Sequence, residues 1–244
     1  MNDHGDADPR PDELLTILMP VYNEERTLLE ALRRVLASPV RKEVIIVDDA
    51  STDGTRQLLH AEVDGKEPCV LVVYQEQNEG KGAAIRAGLP YAHGDCVVIQ
   101  DADLEYDPED YARLLQPVCE HGATVVYGTR FAHGAPRMRL PNLIINRLLA
   151  LMVRVLYGER LTDEATCYKL FRRELLQGLP LTCKRFEFCP EVTAKVLRSG
   201  HRIVEVPIRY EARTMIEGKK IRWTDGVVAI WTLLRFVFWR PAAR

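Results

Sequence analysis

The chain has no large excess of either charge: 33 Lys and Arg stand against 35 Asp and Glu, a formal net charge of -2. That balance argues against a partner such as nucleic acid, whose binders neutralise many phosphates and carry a strong positive excess. The six cysteines (Cys69, Cys96, Cys119, Cys167, Cys183, Cys189) are scattered, with no CxxC pair. Neither a structural zinc site nor a disulfide framework is indicated, and a reducing cytoplasm is the natural compartment. G-x-G-x-x-G and G-x-x-x-x-G-K-[ST] are both missing, which disfavours a dinucleotide fold and a Walker-type loop. No apolar run reaches the roughly 18 residues that mark a spanning helix. The longest stretch, GVVAIWTLLRFVFW at 226–239, is shorter and contains Arg235. Residues 1–13, MNDHGDADPRPDE, are acidic, lack the apolar core of a signal peptide, and read as a disordered lead-in.

What the chain does have is a repeated alternation. With 244 residues, 47% of them hydrophobic, it can bury the core of one α/β domain, expected over 14–244. Apolar β-branched runs alternate with helical patterns: LLTILMPVY then 24–37, EVIIVDD then 53–62, VLVVYQ then 81–92, CVVIQDAD then 108–121, then TVVYGTRF. The pattern predicts βαβ units around a mostly parallel central sheet flanked by helices, with strands buried on both faces and polar residues at their ends. Ligands of such sheets bind outside the carboxyl ends of the strands, which here read PVYNE, DDASTDG, QNEGKG, DADLE and GTR. The second half offers a loop with Gly, Pro and Arg, a helix over 142–157 and the segment LTDEATCYKLFRRELL. A helix near 190–199, a strand in IVEVPIRYEAR, a basic loop and an apolar C-terminal helix follow.

Each strand end carries polar residues with two competing uses. After the first strand, Asn23 fits a helix N-cap with Glu24 and Glu25 in the first turn, while Pro20 and Tyr22 stand where a nucleotide base could stack. After the second, Ser51, Thr52 and Asp53 suit a cap. Adjacent Asp48 and Asp49, at the end of a buried strand, call for donors such as a base N–H or a ribose hydroxyl. In NEGKG, glycines flank Lys81 at a helix start, where backbone N–H groups and a cation can meet a diphosphate. Asp101 and Asp103, one residue apart beyond their strand, can converge on a hard cation, Mg2+ or Mn2+, beside phosphate oxygens; a solvated acidic loop is the simpler alternative. Asp107 precedes Pro108 and fits the N-cap of the next helix, with Glu109 and Asp110 in its first turn.

The order PVYNE, DDASTDG, GKG, DAD at successive strand ends resembles the family-2 glycosyltransferases of GT-A fold, and more narrowly the polyprenyl-phosphate (dolichyl-phosphate) sugar synthases, over residues 14–239. The resemblance implies a GT-A (Rossmann-like) α/β sheet with C-terminal amphipathic helices. A nucleotide-sugar half would run over 14–131 and an acceptor and membrane-facing half over 132–244. It implies that Pro20, Tyr22, Glu24, Asp49, Lys81, Asp101 and Ala102 hold a UDP- or GDP-sugar. Asp101 and Asp103 would bind Mg2+ or Mn2+, with Glu105 a third ligand where similar synthases often have Gln. Arg130 of YGTRF and Arg213, with Lys219 and Lys220, would meet the acceptor phosphate; Asp101, Asp103, Arg130 and Arg213 form the implied catalytic set. DEATCYKLFRRE departs from the family wording, with Cys167 and Tyr168 where Gly and aromatic residues are common, while Asp163 and Lys169 remain as further site candidates.

The implied activity is inverting, metal-dependent transfer of a sugar from a nucleotide-sugar to a polyprenyl (dolichyl or undecaprenyl) phosphate, an anionic nucleophile that needs positioning but no base. Two alternatives stand beside it. One is a soluble family member acting on a sugar or glycan hydroxyl, for which Asp163 is the base candidate; the other is a nucleotide-sugar-binding subunit of a membrane glycosyltransferase. A lipid acceptor implies peripheral attachment at the cytoplasmic face of a membrane. Arg147 and Arg154 share a helical face, and Trp231 and Trp239 sit among Arg213, Lys219, Lys220, Arg222, Arg235, Arg240 and Arg244 against Glu217 and Asp225. The competing use of both apolar helices is as core or as the interface of a homo-oligomer.

Overall fold

The computed structural model describes residues 13–132, 134, 136, 138, 140–212 and 223–241. The lead-in lies outside them except for Glu13, which pairs with Arg172 at 2.8 Å. Seven strands form one sheet: β1 (Leu15–Val21), β2 (Lys42–Asp48), β3 (Val70–Tyr74), β4 (Cys96–Ile99), β5 (Val125–Thr129), β6 (Lys169–Arg172) and β7 (Val204–Pro207), in the order β3-β2-β1-β4-β6-β5-β7. The helices are α1 (Leu28–Ala37), α2 (Thr55–Glu62), α3 (Lys81–Gly88), α4 (Tyr111–His121), α5 (Leu140–Tyr157), α6 (Arg173–Gly178), α7 (Phe188–Arg198) and α8 (Trp223–Phe236).

Helices cover both faces of the central strands, so every β4 side chain and all but one of β1 are buried. This is why those runs are continuously apolar. The sheet is parallel as expected apart from β6, which runs antiparallel to both β4 and β5. Its four residues KLFR are too short to show a period in the sequence. The consequence is large: an antiparallel strand begins where its parallel neighbours end. The residues leading into β6, 163–168, are therefore delivered to the carboxyl edge of β4 and β5. The two sequence halves are also joined in one sheet, with β6 inserted between strands of the first.

α1 starts at Leu28 after Thr27 rather than at residue 24, so Asn23 is not its N-cap. Asp107 does cap as expected: its Oδ1 accepts the Glu109 N–H at 3.0 Å, ahead of a 3-10 turn at Pro108–Asp110 that leads into α4. α5 and α8 pack against each other. α5 is long and apolar enough to cross a membrane by length and composition, with a mean hydropathy of 1.4, which corrects the expectation that no such helix exists. Asn142, Asn146, Arg147 and Arg154 interrupt its apolar runs and conceal it from a run count. In the fold it buries one face, through Asn146, Leu149, Ala150 and Val153, against the domain.

Candidate active site

The carboxyl ends of β2, β1 and β4 lie side by side, since β1 is paired in parallel with both neighbours. Chain order reverses there, the place where open α/β sheets bind ligands. Among the described residues, the non-glycine positions with left-handed backbone are Asn23, Ala50 and Leu104. One lies in each loop that leaves these three strands. Such conformations cost free energy and persist where surrounding structure imposes them.

The β1 and β2 loops are tied together by Asn23. Its Oδ1 accepts the Thr52 N–H at 2.7 Å, its own N–H donates to Ser51 Oγ at 3.0 Å, and the Glu24 N–H donates to Thr55 Oγ1 at 2.9 Å. Glu24 accepts from the Thr27 hydroxyl at 2.8 Å. Pro20 and Tyr22 are half-buried at this rim. The two adjacent aspartates each have donors inside the protein. Fully buried Asp48 accepts from Arg56 Nε at 2.7 Å. Asp49 accepts the N–H groups of Glu79 and Gly80, both at 2.8 Å. Burial pushes the Asp49 carboxyl above its ordinary value, against those hydrogen bonds.

The glycines around Lys81 serve a different purpose from the expected phosphate cradle. The Gly82 and Ala83 N–H groups donate to the carbonyls of Arg185 and Lys184, at 3.1 and 2.9 Å. A Cβ at Gly80, whose φ is 100°, would stand 2.6 Å from the Lys184 carbonyl, and one at Gly82 would stand 2.9 Å from that of Arg185. Only glycine admits so close an approach of the 183–185 segment. What this turn directs into the site is the Lys81 side chain, whose Nζ lies 2.6 Å from Oδ1 and 2.8 Å from Oδ2 of Asp101. Burial works against the ammonium, but Asp101 outweighs it and holds Lys81 well above its ordinary value.

Beyond β4 the D-A-D turn is held from below. Gln100 Nε2 donates to the Asp101 carbonyl at 2.8 Å; its Oε1 accepts from the hydroxyls of Tyr168, at 2.7 Å, and Tyr111. Tyr106 accepts the Cys167 N–H at 3.0 Å. Ala102 is buried, and Asp103 Oδ1 accepts the Glu105 N–H at 3.0 Å. Gln100, Tyr106 and Tyr111 are not legible in the sequence, and Tyr168 stands out only as a departure from the family wording, because nothing in a lone Gln or Tyr reveals the distant residues it bonds. Glu105, the third ligand expected, has its Oε2 accepting from Tyr210 at 2.8 Å, and its backbone carbonyl accepts from the Glu211 N–H at 3.0 Å. Among the described residues no three His, Cys, Asp or Glu side chains form a metal cluster.

Arg130 and Asp163 face each other across the end of β5. Arg130 donates from Nε and Nη2 to the two Asp163 oxygens, each at 2.7 Å, and from its backbone N–H at 3.0 Å. Its guanidinium also packs over the Tyr210 ring at 4.9 Å, leaving the side chain 7% exposed. Asp163 is fully buried with both oxygens engaged, which corrects its candidacy as a general base. Lys169 is likewise corrected: it is fully buried, donates to the Glu164 carbonyl at 2.5 Å, and sits over the Tyr127 ring. Arg213, Lys219 and Lys220 lie outside the described residues.

Solved structures identify the fold. Glucosyl-3-phosphoglycerate synthase from Mycobacterium tuberculosis, in complex with Mn2+, UDP and phosphoglyceric acid, superposes with a TM-score of 0.69 at 22% identity, covering 93% of this chain and 79% of that one. Mannosyl-3-phosphoglycerate synthase from Rubrobacter xylanophilus gives 0.70 at 19%, covering 92% and 73%. The sheet and its flanking helices are those of a GT-A glycosyltransferase. The model of glycosyl transferase family 2 matches residues 16–179, and the chain belongs to that family. It is 30% identical over 237 residues to the polyprenol monophosphomannose synthase of Mycolicibacterium smegmatis, covering 92% of this chain and 89% of the relative. It is 32% identical over 239 residues to the undecaprenyl-phosphate mannosyltransferase of Micrococcus luteus, covering 95% of both.

Proposed function

We propose that this glycosyltransferase moves a sugar from a nucleotide-sugar to a polyprenyl phosphate, with inversion at the anomeric carbon. The observation that carries the choice of acceptor is the commitment of Asp163. A hydroxyl acceptor needs a base within reach, and the carboxylate best placed in the sequence to be that base is fully buried with both oxygens held by Arg130. A phosphate monoester arrives already anionic. The names of the two relatives, each aligned over nearly the full chain, point the same way.

In this reading the donor lies over the carboxyl ends of β1, β2 and β4, with Pro20, Tyr22, Glu24 and Asp49 along the nucleoside and Lys81 and Asp101 at the diphosphate. The all-oxygen set of Asp101 and Asp103 suits a hard cation that takes one or two carboxylates and completes its shell with phosphate oxygens and water. Mg2+ or Mn2+ held there would offset the charge of the leaving nucleoside diphosphate. Gln100, anchored by Tyr111 and Tyr168, fixes the turn that presents both aspartates. Arg130, oriented by Asp163, is a fixed positive charge at the acceptor end, and inversion follows from in-line attack by the phosphate oxygen on the face opposite the leaving group.

A lipid acceptor also gives the exposed apolar face a use. Leu140, Ile144, Leu148, Leu151 and Val155 follow one another at helical spacing along α5, from 39 to 72% exposed. On the α8 side, Val227, Val228, Trp231, Leu234 and Phe238 are exposed as well. We assign this face to the surface of a membrane, at its cytoplasmic side, in keeping with six free cysteines. Purified protein incubated with UDP- and GDP-sugars, Mg2+ or Mn2+, and a short-chain polyprenyl phosphate or the matching polyprenol tests the reading. Glycolipid is expected from the phosphate alone; equal product from the polyprenol would overturn it.

A further inference from the structure

The Lys81–Asp101 pair bears on how a cation and a nucleotide load together, an inference that rests on the metal reading above. The ammonium bridges both oxygens of Asp101, at 2.6 and 2.8 Å, and the two side chains are 17 and 24% exposed. Cys167 Sγ lies 3.5 Å from the same ammonium, and burial holds its thiol in the neutral form. Asp101 is thus the anion that compensates a largely buried positive charge. A divalent cation drawn to an Asp101 oxygen meets that positive charge already in place, where like charges are poorly screened. If it displaces Lys81, it strands the ammonium without a counter-charge.

We propose that Lys81 is a competing internal cation, which holds the Asp101 carboxylate until a nucleoside diphosphate offers the ammonium a second anion, so that divalent cation and nucleotide bind as a coupled pair. The exchange needs only the side chain to move. The backbone after Lys81 is clamped by the Lys184 and Arg185 carbonyls and the Gly80 N–H before it by Asp49, with no room for a Cβ at Gly80 or Gly82, while the lysine stem can rotate from carboxylate to phosphate. Coupling of this kind is reciprocal: whatever the nucleotide does for the cation, the cation does for the nucleotide. It would also protect the enzyme from filling its site with metal alone.

Mn2+ binding, followed by the electron paramagnetic resonance of the free ion with and without UDP or GDP, tests the proposal without reference to turnover. Phosphate oxygens ligate Mn2+ in any case, so tighter binding with nucleotide is not the discriminating result. The decisive arm is Mn2+ alone. Lys81→Met is expected to bind it about tenfold more tightly than wild type, within the usual range of such couplings, and Lys81→Gln should behave alike. Lys81→Arg, which keeps the charge, is expected to stay near wild type. Binding to Lys81→Met and Lys81→Gln no tighter than to wild type, with the thermal transitions of both intact, overturns the competition. Equal Mn2+ binding by wild type and Asp101→Asn would instead remove the carboxylate as a ligand, and the metal reading would fall together with the proposal.

Discussion

Asp163 accepts three hydrogen bonds from one residue, Arg130: two from the guanidinium at 2.7 Å and one from the backbone at 3.0 Å. A guanidinium this deeply placed keeps its charge because the Asp163 carboxylate outweighs the burial that opposes it. The pair is therefore an orienting device, and removing one half leaves the other as an uncompensated buried charge.

Asp163→Asn is accordingly expected to lower unfolding free energy by about 3–5 kcal/mol, read from urea denaturation. The same substitution in an enzyme that used Asp163 as a base would leave stability nearly intact and abolish turnover alone. That outcome would restore the hydroxyl-acceptor alternative.

Asp101→Asn and Asp103→Asn are expected to behave differently from Asp163→Asn. Both side chains are partly exposed, so the loss of stability should be smaller than for Asp163→Asn, arising at Asp101 from the Lys81 ammonium left without its counter-charge, while the rate falls by roughly 10²–10³-fold through lost stabilisation of the leaving charge. Titration of Mn2+ against rate should show the deficit growing as metal becomes limiting. Rates indifferent to metal in the wild type would end the assignment.

The sheet was legible in the sequence because buried parallel strands write themselves as continuous apolar runs, and the D-A-D turn because charged residues at the end of such a run stand out. β6 was not legible: four residues carry no period. Its antiparallel course is what brings Asp163 beside Arg130 and Cys167 beside Lys81. The glycines around Lys81 were seen but their purpose was not, since the segment that crowds them, Lys184 and Arg185, lies a hundred residues away in the chain. Asp48 and Asp49 raised the same difficulty. Sequence reveals that a buried acid needs donors, and only the fold shows that Arg56 and the Glu79–Gly80 backbone supply them.

Acid sensitivity is expected from Glu191. Burial pulls its carboxyl upward, but Lys195, the Thr182 N–H and the Thr182 hydroxyl overcome it and leave it below its ordinary value. A carboxyl depressed in the folded state contributes stability that is complete above its unfolded value, about 4.3, and is lost as pH falls through the folded value. Glu191→Gln should therefore be less stable than wild type at pH 7, with the gap closing as pH drops below about 4. A gap independent of pH would show that the ionised form contributes nothing. Lys195, which lies over the Phe236 ring at 4.5 Å, would carry the defect to the base of α8.

The apolar face of α5 and α8 yields a test that must avoid deletion. Removing 226–244 would strip Leu233, fully buried, together with Phe236, and would sever the hydrogen bond from Arg198 Nε to the Trp239 carbonyl at 3.0 Å. Loss of membrane binding would then mean only loss of fold. Substitution at exposed positions separates the two: Leu151, Val155 and Trp231 are 53, 72 and 66% exposed, so Leu151→Glu, Val155→Glu and Trp231→Glu should each change stability by less than about 0.5 kcal/mol. Burial of one such side chain in the lipid interface stabilises by about 1.5–3 kcal/mol, so each change should weaken partitioning roughly tenfold or more. Flotation with vesicles containing anionic lipid is the measurement, and added salt should weaken binding further, because the basic residues of this region act through screened charge. Wild-type protein that does not float defeats the membrane assignment. Should the same three substitutions instead convert a dimer to a monomer in sedimentation, the face belongs to a second copy of this chain.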